Sequence, residues 1–369
     1  MTHMRLLLVT DAVGGVWVYS LELARALQPL GVEAVLAVMG PSPTAEQREA
    51  AGGLSVIDTG LPLEWLDTNP VEIRRAGERI AEIARQEEAD LVQTASAALL
   101  ADVEFAQPCV AVQHSCVASW WAAVKRTPLP RDFLWRRELV ECGLMRAAAV
   151  VAPSISFAAE TARIYDVPGA VGAVHNGRRT VTFSNIPQGE FVFSASRLWD
   201  EGKNVATLDA AAAQLEVPFQ VAGARHGPNG ASISVSHLQV LGDLSPTRVA
   251  GLLSARPIYA SAALYEPFGL SVLEAAQAGC ALVLSDIATH REIWGGAAIF
   301  VPARDSHAFA AAIRDLLRDP DERQQLGQLA RARASIYTPE RMARGMADIY
   351  ARILCEHGSS QPAQMAGAA

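Results

Sequence analysis

The 369-residue chain reads as an α/β protein made of two parallel-sheet domains. Three observations predict this. Apolar runs of strand length alternate with amphipathic helical stretches along the whole chain, the order that builds βαβ units. A polar stretch over 178–190, holding Pro187 and Gly189, divides that alternation into two series. The length is too great for one core and suits two domains of ordinary size.

The elements follow in order. Arg5 to Thr10 is a first strand, and the helix after it shows Val16, Tyr19, Leu23, Leu27 and Leu30 on one face. Val32 to Met39 is the second strand, and apolar runs over 90–93, 109–113, 148–152 and 171–174 extend a first sheet. These place an N-terminal domain at 1–180. A second series opens at Phe191 to Ala195 and continues through runs at 219–222, 238–241, 257–261, 281–285 and 298–301, giving a C-terminal domain at 190–337. Between the fourth and fifth of those runs, Gly269 to Ala278 reads as a helix stopped by Gly279. Thr338-Pro339 begins a last helix striped by Met342, Met346, Ile349 and Ile353, and 358–369 reads as a flexible tail. Ligands of open α/β sheets sit beyond the carboxyl ends of strands. Asp11, His114, Asn176, Arg197, Gly223, Asp243 and Glu266 all fall at or just after such ends.

Composition removes several function classes. Half the residues are hydrophobic and 19% are charged, so the chain is globular, and a net charge of −8 argues against a nucleic-acid partner. Five cysteines without a Cys-x-x-Cys pair fit reduced thiols rather than a disulfide framework or zinc site. The apolar stretch Leu6–Val9 is too short for an export signal or a membrane span, which predicts a cytoplasmic chain. The turn Gly14-Gly15 lacks the full Gly-x-Gly-x-x-Gly pattern, and the second strand ends in Met39-Gly40 without an acid to hold a cofactor ribose. A nicotinamide or flavin enzyme is therefore disfavoured. Asp319-Pro-Asp321 lies in a helix-connecting turn where acids act as caps, so no metal site is expected there.

The most informative segment is Glu266-Pro-Phe-Gly-Leu-Ser-Val-Leu-Glu274. It lies at a loop-to-helix junction, where the amides of Phe268, Gly269 and Leu270 offer an anion site. Two carboxylates beside such a site suit the hydroxyls of something attached to a phosphate, which describes a nucleotide sugar. This motif resembles the donor motif of family 4 glycosyltransferases, which have the GT-B fold: two Rossmann-like domains facing across a cleft. The resemblance implies retaining transfer of a hexose-type sugar from a nucleotide-sugar donor to a hydroxyl acceptor, in bacterial glycan or glycolipid assembly, without a metal or other cofactor. It implies that Glu266 holds the donor sugar and Glu274 the ribose, and that the last helix crosses back to the first domain.

Ser196-Arg197-Leu198 and Lys203-Asn204 resemble in part the family's Gly-Arg-Leu and Lys-Gly elements, which implies that Arg197 and Lys203 neutralise the donor diphosphate. They would stabilise the charge that develops on the leaving group. His114 resembles the family's histidine near the reacting carbon, and Gly14, Gly15 and Gly223 resemble its donor-contacting glycines. Asn176-Gly177 resembles the pair closing the first domain and reads as a turn. Thr289-His-Arg-Glu292 departs from the family's frequent Gly-Gly pair, which implies altered donor-sugar contacts. Lys125 and Lys203 are the only lysines. The basic-aromatic stretch with Trp120, Trp121, Lys125, Arg126 and Arg131 is expected on the acceptor side. It offers stacking faces for a sugar and cations for an anionic acceptor or the inner membrane surface. The competing reading of that stretch is a core-packing helix with a solvated face. Competing readings of the whole are another GT-B chemistry, such as nucleotide-sugar 2-epimerisation, and a non-catalytic nucleotide-sugar-binding subunit.

Overall fold

A computed structural model describes residues 3–167, 169–184 and 186–360. They form two compact units. The first comprises residues up to Ala118, Leu129–Gly177 and the chain from Pro339 onward; the second comprises Ser119–Pro128 and Arg178–Thr338.

In the first unit the chain runs through β1 (Met4–Asp11), α1 (Gly15–Leu27), β2 (Val32–Met39), α2 (Ala45–Ala51), β3 (Ser55–Asp58), α3 (Pro70–Gln86) and β4 (Leu91–Thr94). It continues through β5 (Cys109–Val112), α5 (Arg131–Arg146), β6 (Ala149–Ala152), α6 (Ile155–Tyr165) and β7 (Gly172–Ala173), while the intervening α4 (Val117–Val124) belongs from Ser119 onward to the second unit. The strands make one parallel sheet in the order β3-β2-β1-β4-β5-β6-β7. Its strands are apolar on both faces because helices cover both. Leu7 and Val9 of β1 enter one core layer, while Leu6 and Leu8 enter the other. The edge strand β3 has no counterpart in the sequence reading. Its four residues Ser-Val-Ile-Asp are partly or fully exposed, so the apolar run that marks an interior strand is missing.

The second unit holds β8 (Val192–Ala195), α7 (Val205–Ala212), β9 (Phe219–Ala222), β10 (Gln239–Val240), α8 (Pro246–Ser254) and β11 (Ile258–Ser261). Then come α9 (Leu270–Ala278), β12 (Leu282–Ser285), α10 (Ala288–Trp294), β13 (Ile299–Val301), α11 (Ser306–Arg318) and α12 (Pro320–Ala334). Its parallel sheet runs β10-β9-β8-β11-β12-β13. In β12, Val283 faces one core layer while Leu282 and Leu284 face the other. Asp319 caps α12 by accepting from the Glu322 N–H at 2.9 Å, with Pro320 at the first helical position.

The last helix, α13 (Pro339–Ser360), packs in the first unit, where Met342, Met346, Tyr350 and Ile353 join the core layer of α1. The rest of the tail expected over 358–369 lies outside the described residues. No helix among the described residues is long and apolar enough to cross a membrane.

Both sheets reverse their winding direction once. The reversal falls between β1 and β4 in the first unit and between β8 and β11 in the second. Such switch points leave a crevice outside the carboxyl ends of the flanking strands. The loops that leave β8 and β11 therefore carry the residues best placed to meet a ligand on the second unit.

Candidate functional site

The loop after β8 carries Arg197 and leads into a single turn of 3-10 helix, Glu201–Lys203. Asp200 caps that turn and is nearly fully buried. Its carboxylate accepts from the Gly202 N–H at 2.9 Å, from Arg197 Nη2 at 2.8 Å and from the Trp120 indole N–H at 2.9 Å. Burial works to raise the Asp200 carboxyl, but the neighbouring Lys203 and Arg197 cations hold it below the usual range. The turn is tied to the loop after β11 by its backbone. Gly202 O accepts from Leu264 N at 2.8 Å, and Asn204 Nδ2 donates to Ala262 O at 3.0 Å.

This tie sets Lys203 against Glu266, with Nζ donating to Oε2 at 2.7 Å. The two side chains are only 16% and 14% exposed, so the pair is shielded from water. Burial pushes the Glu266 carboxyl up. The Lys203 ammonium overrides that effect, with Arg197 adding to it, and keeps the carboxyl ionised well into the acid range. The Glu266 carbonyl accepts from Thr289 Oγ1 at 2.6 Å. The residue that departs from the family's glycine pair thus supports the first glutamate from behind. On the same helix His290 is fully buried, with Nδ1 3.0 Å from the Ser285 carbonyl. Desolvation lowers its pKa, which keeps the ring neutral.

After Glu266 the chain turns at Gly269, whose φ of +93° is left-handed and disfavours any side chain. A Cβ there would also press on Glu266 Cγ at 3.3 Å. Gly269 is the N-cap of α9, and no side chain caps the first turn, so its amides remain available to an anion. Phe268 is buried with its ring edge-on to Tyr337 at 5.6 Å, which anchors the turn. One turn further on, Glu274 forms an ion pair with Arg178 Nε. Gly223, after β9, has φ +133°, and a Cβ on it would lie 1.8 Å from the Ser196 carbonyl. It lets the Arg197 loop pass close by, so its contribution is to place that loop.

Trp120, Trp121, Lys125 and Arg126 are corrected in their placement. Chain order assigns them to the first domain, but Ser119–Pro128 packs with the second unit. Trp120 gives its N–H to Asp200 and lies against Gly202, where a Cβ would approach the indole nitrogen to 2.8 Å. Ser119 Oγ and Tyr265 O–H share a hydrogen bond of 2.7 Å, and Arg304 Nη2 donates to Val124 O at 3.0 Å. Lys125 pairs with Glu201 at 2.6 Å, and Trp121 Nε1 donates to Thr127 Oγ1 at 3.1 Å. Arg126 is exposed, with a left-handed φ of +54°.

The first unit holds Gly14, Gly15 and His114. Gly14 is the N-cap of α1 and Gly15 its first residue, with no side-chain cap. The loop before them is held by an Asp11 Oδ1 bond from Val13 N at 2.8 Å and by Gln47 Nε2, which donates to Ala12 O at 2.7 Å. His114 stands two residues past β5, edge-on to Tyr19 with ring centroids 4.3 Å apart. Its Nε2 is buried without a hydrogen-bond partner, and desolvation lowers its pKa to about 4, so the imidazole is neutral near pH 7. Glu64, which no sequence motif singles out, is buried in this unit. Burial raises its carboxyl, and the Asp11 charge acts in the same direction.

Two residues of the second unit were missed by sequence reasoning, Asp200 and Arg178. Asp200 had a readable signal, since an acid three residues after Arg197 can reach back to it. Arg178 had none, because it sits in a polar stretch that reads as linker.

Family models match both halves of the chain. Residues 13–180 match the model described as Glycosyltransferase Family 4, and residues 187–333 match Glycosyl transferases group 1. The chain belongs to the family 4 glycosyltransferases, and its two parallel-sheet units make the GT-B fold. Among solved structures it resembles sucrose-phosphate synthase from Thermosynechococcus elongatus, with a TM-score of 0.77 and 18% identity over 96% of this chain and 100% of that one. It also resembles Anabaena Alr3699/HepE in complex with UDP-glucose, with a TM-score of 0.72 and 18% identity over 95% of this chain and 100% of that one. A glycogen synthase of Mycobacterium tuberculosis is 35% identical over 125 residues, which is 33% of this chain and 30% of that relative's length.

Proposed function

We propose that this protein is a retaining glycosyltransferase that moves a hexose-type sugar from a nucleoside-diphosphate donor to a hydroxyl acceptor. The observation that carries the reading is the shielded Lys203–Glu266 pair at the switch point of the second sheet, with Arg197 in the loop that leads into the Lys203 turn and the uncapped start of α9 next to Glu266. A guanidinium has five donors and an ammonium three, so both cations keep N–H groups for phosphate oxygens after serving Asp200 and Glu266. In this reading Arg197, Lys203 and the amides near Gly269 take the diphosphate, Glu266 takes the sugar hydroxyls, and Glu274 takes the ribose.

The reaction breaks the bond between the anomeric carbon and the diphosphate oxygen and forms one from that carbon to the acceptor oxygen. The electron pair leaves with the diphosphate, whose growing charge meets cations already in place. The acceptor proton passes to the departing phosphate, so no side chain needs to serve as base. The UDP-glucose complex of Alr3699/HepE supports a nucleotide-sugar donor by analogy. We assign Trp120 to bracing Asp200 rather than to stacking on an acceptor. Calorimetry with UDP, GDP and ADP, followed by an assay of sugar release and transfer from the matching nucleotide sugars, tests the reading. Failure to bind any of the three, or binding without turnover of any nucleotide sugar, overturns it.

A further inference from the structure

We propose that Arg178 is a positioning residue for the Glu274 carboxylate and thereby sets the preference for ribose over deoxyribose in the bound nucleotide. The inference rests on the ribose role proposed for Glu274. Arg178 is the first residue of the second unit's main segment, and its Nε is paired with Glu274 Oε1. The two side chains are 15% and 24% exposed, which places the pair at the margin between core and solvent.

The backbone of residue 178 is secured by other groups. Its carbonyl accepts from Gln277 Nε2 at 2.8 Å, and its N–H donates to Tyr337 O at 3.3 Å. Glu274 and Gln277 are three residues apart on α9 and so share one helix face. That face grips residue 178 at two points, the side chain through Glu274 and the main chain through Gln277. The main-chain bonds hold the segment without the guanidinium. The guanidinium adds to them a side-chain contact with Glu274 on the same helix face.

Glutamate has three rotatable bonds, and a partly exposed carboxylate samples several rotamers unless something holds it. Recognition of a ribose hydroxyl needs a carboxylate oxygen at one fixed place. A site built to accept a hydroxyl rejects the analogue that lacks it, because a polar group is then left unpaired. The planar guanidinium, pre-organised for carboxylates, supplies that fixation. An ion pair between the linker and α9 serving only to hold the fold would affect all nucleotides alike.

The experiment measures dissociation constants of UDP, GDP and ADP and of their 2′-deoxy and 3′-deoxy counterparts by calorimetry. Wild type, Arg178→Ala, Arg178→Lys and Glu274→Ala are compared, and thermal melting confirms that each variant is folded. The wild type is expected to prefer the ribonucleotide by about tenfold or more over at least one deoxy form. Glu274→Ala and Arg178→Ala should each bring that ratio close to one, and Arg178→Lys should restore part of it. If Arg178→Ala keeps the wild-type ratio, or weakens every nucleotide equally, while Glu274→Ala loses the ratio, the positioning role is wrong and the ribose role of Glu274 stands. If Glu274→Ala keeps the ratio, the ribose role fails and the inference fails with it. Absence of binding by the wild type overturns both.

Discussion

Lys203 has two tasks at the residue scale, and they separate on substitution. Its ammonium is the dominant stabilising influence on the ionised Glu266, and in the proposed function it is one of two cations that take the diphosphate. Lys203→Ala should reduce transfer by roughly a hundredfold or more, the scale of losing one preorganised charge at a leaving group. It also leaves a buried carboxylate without its partner, so the Glu266 carboxyl should rise above the usual range and the melting temperature should fall. Initial rates together with a melting curve check both effects, and full turnover by the variant would contradict the diphosphate assignment. Glu274→Ala makes a different prediction. It should weaken nucleoside diphosphates by roughly tenfold to a hundredfold, the worth of a hydrogen bond to a charged acceptor, and calorimetry reads this directly. An unchanged affinity would remove Glu274 from the ribose.

The working element is the turn 201–203, held from three sides by Asp200, by the loop after β11 and by Trp120. Trp120→Phe removes the indole N–H and one ring while keeping an aromatic side chain, whereas Trp120→Ala uncovers Gly202 altogether. Both should lower nucleoside-diphosphate affinity several-fold, the alanine variant more, because Asp200 then holds Arg197 and the turn less firmly. Equal affinity in wild type and both variants would show that the brace does not reach the phosphate groups. This element also shows where sequence reading stops. Glu266 and Arg197 were singled out because strand ends and the Glu-x7-Glu spacing are local patterns, and Lys203 because its segment resembles the family's Lys-Gly element. The Lys203–Glu266 pair spans 63 positions and the Trp120–Asp200 bond 80, and such pairings depend on packing rather than spacing. Trp120 was misplaced for the same reason, since order along the chain gave it to the wrong unit. The edge strand β3 was missed because an exposed strand carries no continuous apolar run.

Taken as a whole molecule, the protein carries its reactive charges in pairs: Arg197 with Asp200, Lys203 with Glu266 and Arg178 with Glu274. Among the described residues no three His, Cys, Asp or Glu side chains group as metal ligands. With the cations as the proposed charge stabilisers, transfer should persist in EDTA, and a loss restored by Mn²⁺ or Mg²⁺ would overturn that assignment. Stability towards mild acid responds to two histidines, the fully buried His290 and the partly exposed His114. Desolvation lowers the pKa of His114 from an ordinary 6.5 to about 4 and shifts His290 in the same direction. Below about pH 6.5 the unfolded chain binds a proton at each ring that the folded chain refuses, so stability falls as pH drops towards about 4. For His114 the full loss is at most ~3 kcal/mol, less because part of the residue meets solvent. Glu266 and Asp200 are shifted downward, so their contributions persist through this window and are lost only at more acid pH. His114→Asn should therefore flatten the decline in melting temperature across the histidine window while leaving the fall at lower pH in place. Parallel melting curves for wild type and variant throughout that window would show that His114 titrates as an ordinary surface residue, and the neutral imidazole would lose its basis.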